Sequence, residues 1–136
     1  MIDHVGIRVV DYDRSKKFYA AALAPLGYTL AMETAAGAGF RRGHIPSFWI
    51  KQGTLTGAPR SAVPHELAGC GGPAVHIAFS SEDRSTVDAF HRAALAAGGE
   101  DNGAPRLRAE YHPHYYGAFV LDPDGYNIEA VCHRAP

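Results

Sequence analysis

The fold predicted for this chain rests on the stretch AFVLDPDGYNIEAV, residues 118–131. Its central tetrapeptide DPDG is typical of a tight turn, and the segments around it, residues 115–121 and 126–132, have the composition of short β-strands. Glu129 interrupts the apolar run of the second strand. A buried carboxylate is costly unless it is paired, protonated or coordinated, so Glu129 needs a partner from another part of the fold.

Composition sets the broad class. The chain has 136 residues, 46% of them hydrophobic and 20% charged, which is ordinary for a soluble globular domain or two very small modules. A net charge of −1 gives no indication of a nucleic-acid partner or an anionic membrane surface. No apolar run approaches membrane-spanning length, and we expect no signal peptide. Cys70 and Cys132 are expected to be free thiols in a reducing cytoplasm.

The two halves of the chain show the same order of features. Each contains a strand with a histidine, a helix that opens with Asp-Arg-Ser, a glycine after Leu- and Ala-rich turns, and three more short strands. Residues 13–15 correspond to residues 83–85, and His4 corresponds to His76. This internal repeat predicts an α+β fold made of two βαβββ modules.

Periodicity places the elements of each module. Residues 2–10 and 74–81 alternate as strands, and residues 11–28 and 82–99 have the spacing of helices that bury one face. Asp11 or Asp13 is expected to cap the first helix and Ser81 the second. The remaining strand candidates are residues 28–33, 39–42, 48–51 and 107–111. Residues 52–72, rich in Gly, Pro, Ala and Ser, are predicted to form a connecting loop.

Both histidine-bearing strands have one face lined by small residues. Gly6 shares a face with His4, and Ala74 and Ala78 share a face with His76, while the β-branched and aromatic residues lie opposite. Small neighbours leave room beside the imidazoles, which favours a cavity on that side of each sheet. A single histidine on a strand is more often a satisfied polar group than a ligand, but two at matching repeat positions indicate a shared role.

Glu129 continues this pattern on the last strand. Two neutral imidazoles and one carboxylate can bind a divalent metal ion and leave coordination positions open for water, oxygen or substrate. His4, His76 and Glu129 lie on three separate strands, so the fold must form before they can meet. That arrangement suits a catalytic metal rather than one that drives folding.

The stretches DHVGIRVVDYDRSKKFYAAAL, AVHIAF and AFVLDPDGYNIEAV resemble the vicinal oxygen chelate superfamily. This family includes glyoxalase I, extradiol dioxygenases, fosfomycin- and bleomycin-resistance proteins and methylmalonyl-CoA epimerase. The resemblance covers nearly the whole chain and implies one domain over residues 1–136, with modules at residues 1–51 and 73–134. The two modules are expected to pair into a half-open mixed β-barrel with flanking helices.

The resemblance also implies a metal site. Family ligands come from the first and last strands of each module, which assigns His4, His76 and Glu129 as ligands. Fe²⁺ or Mn²⁺ is favoured, with Zn²⁺ or Ni²⁺ as alternatives. The fourth ligand position falls near Trp49, which cannot bind a metal. Glyoxalase I normally has a carboxylate there, so this departure argues against glyoxalase I activity.

The remaining histidine–histidine–glutamate set is similar to that of extradiol dioxygenases. Their pattern also has a histidine before the seventh strand, matched here by His112, and a tyrosine on that strand, where this sequence has Phe119. Tyr115 or Tyr116 could take the place of that tyrosine. His112 and these tyrosines are therefore the candidate catalytic residues, the histidine as a general acid or base.

Three residues are candidates for substrate binding. Arg8, on the face of His4, could bind an acidic group, although a surface salt bridge is an equal alternative. Trp49 and His114 could contact the ligand, and tyrosines of the YHPHYYG loop, residues 111–117, could orient a planar one. The alternative is that this loop only covers the core. Four other histidines are expected at the surface: His44, His65, His91 and His133.

We expect a small metal-dependent enzyme that binds a substrate through vicinal oxygens, with extradiol-type dioxygenase activity ranked first. A glyoxalase-like lyase or isomerase is the second hypothesis, and a small-molecule binding or resistance protein without catalysis is the third. One fold hosts many chemistries, so the resemblance does not decide among them. A homodimer is expected, with the modules paired within one chain or between two.

Overall fold

A computed structural model describes residues 2–54 and 75–135 and confirms two βαβββ modules. The first comprises β1 (Val5–Val9), α1 (Tyr12–Ala22), β2 (Thr29–Thr34), β3 (Gly37–Arg41) and β4 (Phe48–Gln52). The second comprises β5 (His76–Ser80), α2 (Arg84–Ala96), β6 (Glu100–Leu107), β7 (Tyr116–Leu121) and β8 (Asn127–Cys132). Most of the predicted connecting loop, together with Cys70 and His65, lies outside the described residues.

Each module forms its own mixed four-stranded sheet. The strand orders are β1-β4-β3-β2 and β5-β8-β7-β6, so the first and last strands of each module are parallel neighbours and the other pairs are antiparallel. Within the described residues, no hydrogen-bonded ladder joins the two sheets. The first and last strands of each module thus lie side by side. This brings β1, which begins directly after His4, next to Trp49, and β5, which begins at His76, next to Glu129.

The helix starts follow from side-chain capping. Asp11, one of the two candidates that the sequence offered, caps α1 by accepting a hydrogen bond from the Arg14 backbone N–H at 3.0 Å. The prediction of Ser81 for α2 is wrong: Asp83 is the cap and accepts from the Thr86 backbone N–H at 2.7 Å. In the sequence, both residues precede the helix and both are good caps, so the position of the first helical turn decides between them.

Strand β6 is a second correction, because the sequence predicted residues 107–111 and the structure places the strand at Glu100–Leu107. The stretch contains Gly103 and Pro105, residues that are unfavourable within a regular strand. Its pairing with β7 is irregular on both sides of Gly103, and that glycine has a φ of 149°. Bulges of this kind let an edge strand accept glycine and proline.

One hydrophobic core lies between the sheets and the helices and crosses the module boundary. Phe48 of the first module packs edge-on against Phe79 of the second, with ring centroids 5.3 Å apart, and Tyr28 meets the same ring at 5.2 Å. Phe48 is only 1% exposed. The two modules therefore stabilise each other through shared apolar burial. Neither helix in the described residues is long and apolar enough to cross a membrane.

The DPDG turn also joins the modules. Asp122 accepts a hydrogen bond from the Tyr19 hydroxyl at 2.6 Å and from the backbone N–H groups of Asp124 and Tyr126. Asp124 pairs with Arg14 at 3.0 Å and accepts from the Val10 N–H. A turn between two strands of one module is thus held by side chains of the other.

Burial raises the pKa of Asp122 to about 6 from a usual 3.8, although its three hydrogen-bond donors oppose the shift. Between these two pH values the folded protein binds more protons than the unfolded chain, so stability falls as pH rises from about 4 to about 6. The shift in the pKa of Asp122 corresponds to a change of ~3 kcal/mol in the free energy of unfolding across this range. We expect Asp122→Asn to remove this pH dependence, because an amide does not titrate. Its oxygen can still accept hydrogen bonds from the turn N–H groups.

The measurement is the free energy of unfolding of both proteins at several pH values between 4 and 7. The difference between wild type and Asp122→Asn isolates this residue from the exposed carboxylates that titrate in both proteins. Parallel curves for the two proteins would contradict the assignment.

Candidate functional site

The sheet faces turned away from the helices carry the candidate site residues. We call the face of β1, β3 and β4 the first face and the face of β5, β7 and β8 the second face. In each, the register of the two parallel strands sets which side chains are neighbours. Gly6 pairs with Trp49 and Ala78 pairs with Glu129, so Trp49 occupies the position in the first module that Glu129 occupies in the second.

Glu129 lies at the centre of the second face and has no exposed surface. Its Oε2 lies 2.9 Å from His76 Nε2, and its Oε1 accepts a hydrogen bond of 2.5 Å from the Tyr115 hydroxyl. Both carboxylate oxygens are therefore engaged, which lowers the cost of burying them. His76 and Glu129, predicted to meet from 53 residues apart, are in direct contact.

Tyr115 acts as a donor to this carboxylate. Burial, and then the hydrogen bond to Glu129, raise the pKa of Tyr115 above its usual value. Its hydroxyl therefore stays protonated at neutral pH and continues to donate. Because Tyr115 is fixed on Oε1, the other oxygen, Oε2, is the one that faces His76.

Strand β7 leaves room for the Glu129 carboxylate at Gly117 and places the aromatic ring of Phe119 beside His76. A Cβ atom added at Gly117 would lie 2.9 Å from Glu129 Oε1, so the carboxylate occupies room that only glycine leaves. Phe119 is the cross-strand partner of Glu129, and its ring lies 5.7 Å from the His76 ring. Phe119 has no hydroxyl to offer here, and Tyr115 provides the phenol from the preceding loop.

Arg108 is a site residue that the sequence did not reveal. It is 7% exposed, and its guanidinium lies 4.5 Å from the Phe119 ring centroid. It donates to the carbonyl oxygens of Gly117 and Ala104, each at 3.4 Å. Arg106, two residues earlier, pairs instead with a surface glutamate. Nothing in the local sequence distinguishes the two arginines: Arg106 lies within β6 and Arg108 lies just after its end, and only the folded contacts separate their roles.

Three other predicted residues do not contact Glu129. Tyr116 donates to Asp88 of α2 at 2.8 Å, on the helix side of the sheet. His112 and His114 are exposed, and His112 Nδ1 accepts from the His114 backbone N–H. The loop thus sends Tyr115 to the site and leaves the two histidines at its outer edge.

The first face is open and cationic. A cavity of about 370 Å³ is lined by His4, Gly6, Ile7, Arg8, Trp49 and Lys51. His4 is exposed, and its Nδ1 lies 2.7 Å from the carboxylate of Asp3. Arg8 and Trp49, both predicted to contact substrate, border the same cavity.

The predicted metal ligands are therefore brought together in part. His76 and Glu129 touch, while His4 pairs with Asp3. Within residues 2–54 and 75–135, no group of three or more His, Cys, Asp or Glu side chains is placed to hold a metal ion. In this arrangement, the donor set fits a metal at two positions and lacks the third.

His91 was predicted at the surface and is 8% exposed, which corrects that prediction. Its Nε2 lies 2.9 Å from Asp101 Oδ1, and this contact lowers the pKa of Asp101. The pair joins α2 to β6. Its role is structural, since neither residue lies on the second face.

Comparisons with known proteins agree with this architecture. A glyoxalase/bleomycin resistance protein from Albidiferax ferrireducens is 29% identical, with a TM-score of 0.71 over 97% of this chain and 98% of that chain. A glyoxalase/bleomycin resistance protein/dioxygenase family enzyme from Burkholderia phytofirmans is 16% identical, with a TM-score of 0.69 over 98% of each chain.

The fosfomycin resistance protein FosX from Mesorhizobium loti is 17% identical, with a TM-score of 0.66 over 98% of this chain and 92% of that chain. No curated protein sequence matches significantly. The family model that describes the Glyoxalase/Bleomycin resistance protein/Dioxygenase superfamily matches residues 1–130, and the chain therefore belongs to this superfamily.

Proposed function

We propose that this protein is a metal-dependent enzyme that binds a small substrate through two neighbouring oxygens at the second face. The observation that carries the proposal is the contact between His76 and the fully buried Glu129. A buried carboxylate facing an imidazole from a parallel strand is costly as a purely structural device. It is a natural donor pair for a divalent ion.

The spacing of the two donor atoms supports this role. The His76 Nε2 to Glu129 Oε2 distance is 2.9 Å. The two donor atoms are therefore close enough to bind one divalent ion together, once they exchange their mutual hydrogen bond for it. His4 would supply the third ligand by exchanging its contact with Asp3 for the ion.

The residues of this chain would divide the work as follows. Tyr115 keeps Glu129 Oε1 occupied, so that only Oε2 is offered to the ion, and it fixes the carboxylate plane. Phe119 and the buried Arg108 exclude water from one side of the pair. When bound, the ion would supply Lewis acidity toward the two substrate oxygens.

Among reaction classes, extradiol-type oxygen chemistry is favoured over a glyoxalase-like lyase. Trp49 stands where a glyoxalase I site has a carboxylate, and the register makes it the counterpart of Glu129. Tyr115 provides the phenol that Phe119 lacks. The competing proposal is a binding protein without catalysis. It is favoured by the fact that His76 and Tyr115 already engage both carboxylate oxygens of Glu129.

Titration with Mn²⁺, followed by the loss of the free-ion electron paramagnetic resonance signal, tests the metal proposal. We expect wild type to bind one ion and Glu129→Gln or His76→Ala to weaken binding by more than about 100-fold. Tyr115→Phe should weaken it by about 10- to 100-fold, because it removes an outer hydrogen bond to a ligand. His44→Ala, an exposed histidine outside the site, is the matched control.

Unchanged Mn²⁺ affinity in the Glu129→Gln and His76→Ala variants would refute the metal site and leave the binding-protein function. If the ion binds, oxygen consumption by the Fe²⁺-loaded protein with a catechol separates ring cleavage from lyase chemistry.

We also propose a homodimer, supported by Leu30 and Met32, which are exposed on the edge strand β2. Light scattering measures the dimer directly.

A further inference from the structure

Three long side chains on the first face each lie against a glycine: Trp49 on Gly39, Lys51 on Gly37 and Arg8 on Gly53. A Cβ atom added at these glycines would lie 2.8 Å from the indole, 3.3 Å from the lysine Cγ and 3.0 Å from the arginine Cδ. Glycine weakens a strand, and its presence often marks a place where another group must approach the backbone closely. The glycines therefore let these side chains lie flat across the sheet.

The two cations on this face have no paired carboxylate among the residues that the structure describes. Arg8 and Lys51 are direct neighbours in the parallel pairing of β1 and β4, where like charges repel. Within the described ranges, neither side chain has a hydrogen bond or ion pair to another residue. Arg14, Lys16 and Arg42, by contrast, all pair with carboxylates. An anion in the cavity would relieve the repulsion between Arg8 and Lys51.

We propose that the first face binds a planar aromatic carboxylate, in a ligand site that goes beyond the proposed metal function and does not depend on it. The Arg8 guanidinium has the fork geometry that matches a carboxylate, and Lys51 adds a second positive charge. Trp49, seated on Gly39, offers a flat surface for an aromatic ring. The cavity of about 370 Å³ is within the size range of small-molecule sites.

This assignment gives Trp49 a role at the position where its counterpart is Glu129. In the second module that position carries a buried carboxylate, and in the first it carries a half-buried indole beside two cations. The two faces thus differ in chemistry: one presents a buried carboxylate, and the other presents two cations beside an aromatic ring.

Benzoate is the test probe, and Trp49, the single tryptophan, reports its binding by fluorescence. We expect wild type to bind benzoate about two- to tenfold more tightly than cyclohexanecarboxylate, which has the same charge but cannot stack. Arg8→Gln with Lys51→Gln should weaken benzoate binding about tenfold or more. Lys17→Gln, an exposed cation on α1, is the matched control and should have no effect.

Trp49→Leu, measured by calorimetry, is the second and independent variant. It should remove the preference for benzoate while keeping the affinity for cyclohexanecarboxylate. No benzoate binding by wild type, equal binding of benzyl alcohol, or equal losses in the Lys17 and the Arg8/Lys51 variants would each overturn the inference. Mn²⁺ binding is recorded separately: benzoate binding that persists without Mn²⁺ binding would refute the proposed metal function and leave this site standing.

Discussion

Phe48→Ala is expected to destabilise the protein by ~3–5 kcal/mol, because it removes a fully buried ring that both modules share. The ring centroid of Phe48 lies 4.8 Å from that of Tyr19 and 6.0 Å from that of Phe40 within its own module. Across the module boundary it lies 5.3 Å from that of Phe79. Little can collapse into the space left behind, since these neighbours are held by helix α1 and by the two sheets. Urea denaturation gives the free energy of unfolding of both proteins.

Phe48→Leu is the matched control and should cost much less, because most of the buried volume is kept. The cross-module core also predicts that the wild-type protein unfolds in one step. Trp49 fluorescence, which reports on the first module, should therefore follow the same transition as far-ultraviolet circular dichroism. A loss below about 1 kcal/mol in Phe48→Ala, or two separate transitions in wild type, would contradict a shared core.

Glu129→Ala is expected to cost about 3 kcal/mol of stability, in addition to any effect on metal binding. It leaves the partly buried Tyr115 hydroxyl without its acceptor, a loss of up to about 1–3 kcal/mol, and it opens a cavity under Gly117. Glu129→Gln should cost less than half as much, because the amide oxygen can still accept from Tyr115.

These two variants separate fold from function when thermal unfolding is measured beside Mn²⁺ titration. Glu129→Gln should remain folded while it loses the ion. Equal stability of the alanine and glutamine variants would show that the Tyr115 contact contributes nothing to stability. Tyr115→Phe, which removes the donor and keeps the acceptor, provides the complementary measurement.

Much of this fold follows from the alternation of residues along the chain. The period-two pattern and the internal repeat placed His76 and Glu129 on one face, and the DPDG turn fixed the order of the last two strands. Strand β6 escaped prediction because its pairing depends on bulges around Gly103, which a loop-like composition conceals. Local composition cannot show that an edge strand will accept glycine and proline.

The details of the site depend on contacts that the sequence does not encode locally. Tyr115 and Tyr116 are adjacent, so they point to opposite sides of the sheet, and only the register with β8 decides which one meets Glu129. Arg108 and the pair of His91 with Asp101 are likewise set by tertiary neighbours. His4 is on the predicted strand face, but its pairing with Asp3 depends on the path of the chain end.

The DPDG turn has a practical consequence for anyone who wishes to tag or split this protein. Tight turns between strands are usually good places to insert a peptide or a reporter domain. This one is not, because Asp122 and Asp124 also hold Tyr19 and Arg14 of the other module. The exposed connection at residues 43–46, between β3 and β4, is the better insertion point, because no cross-module contact depends on its tip among the described residues.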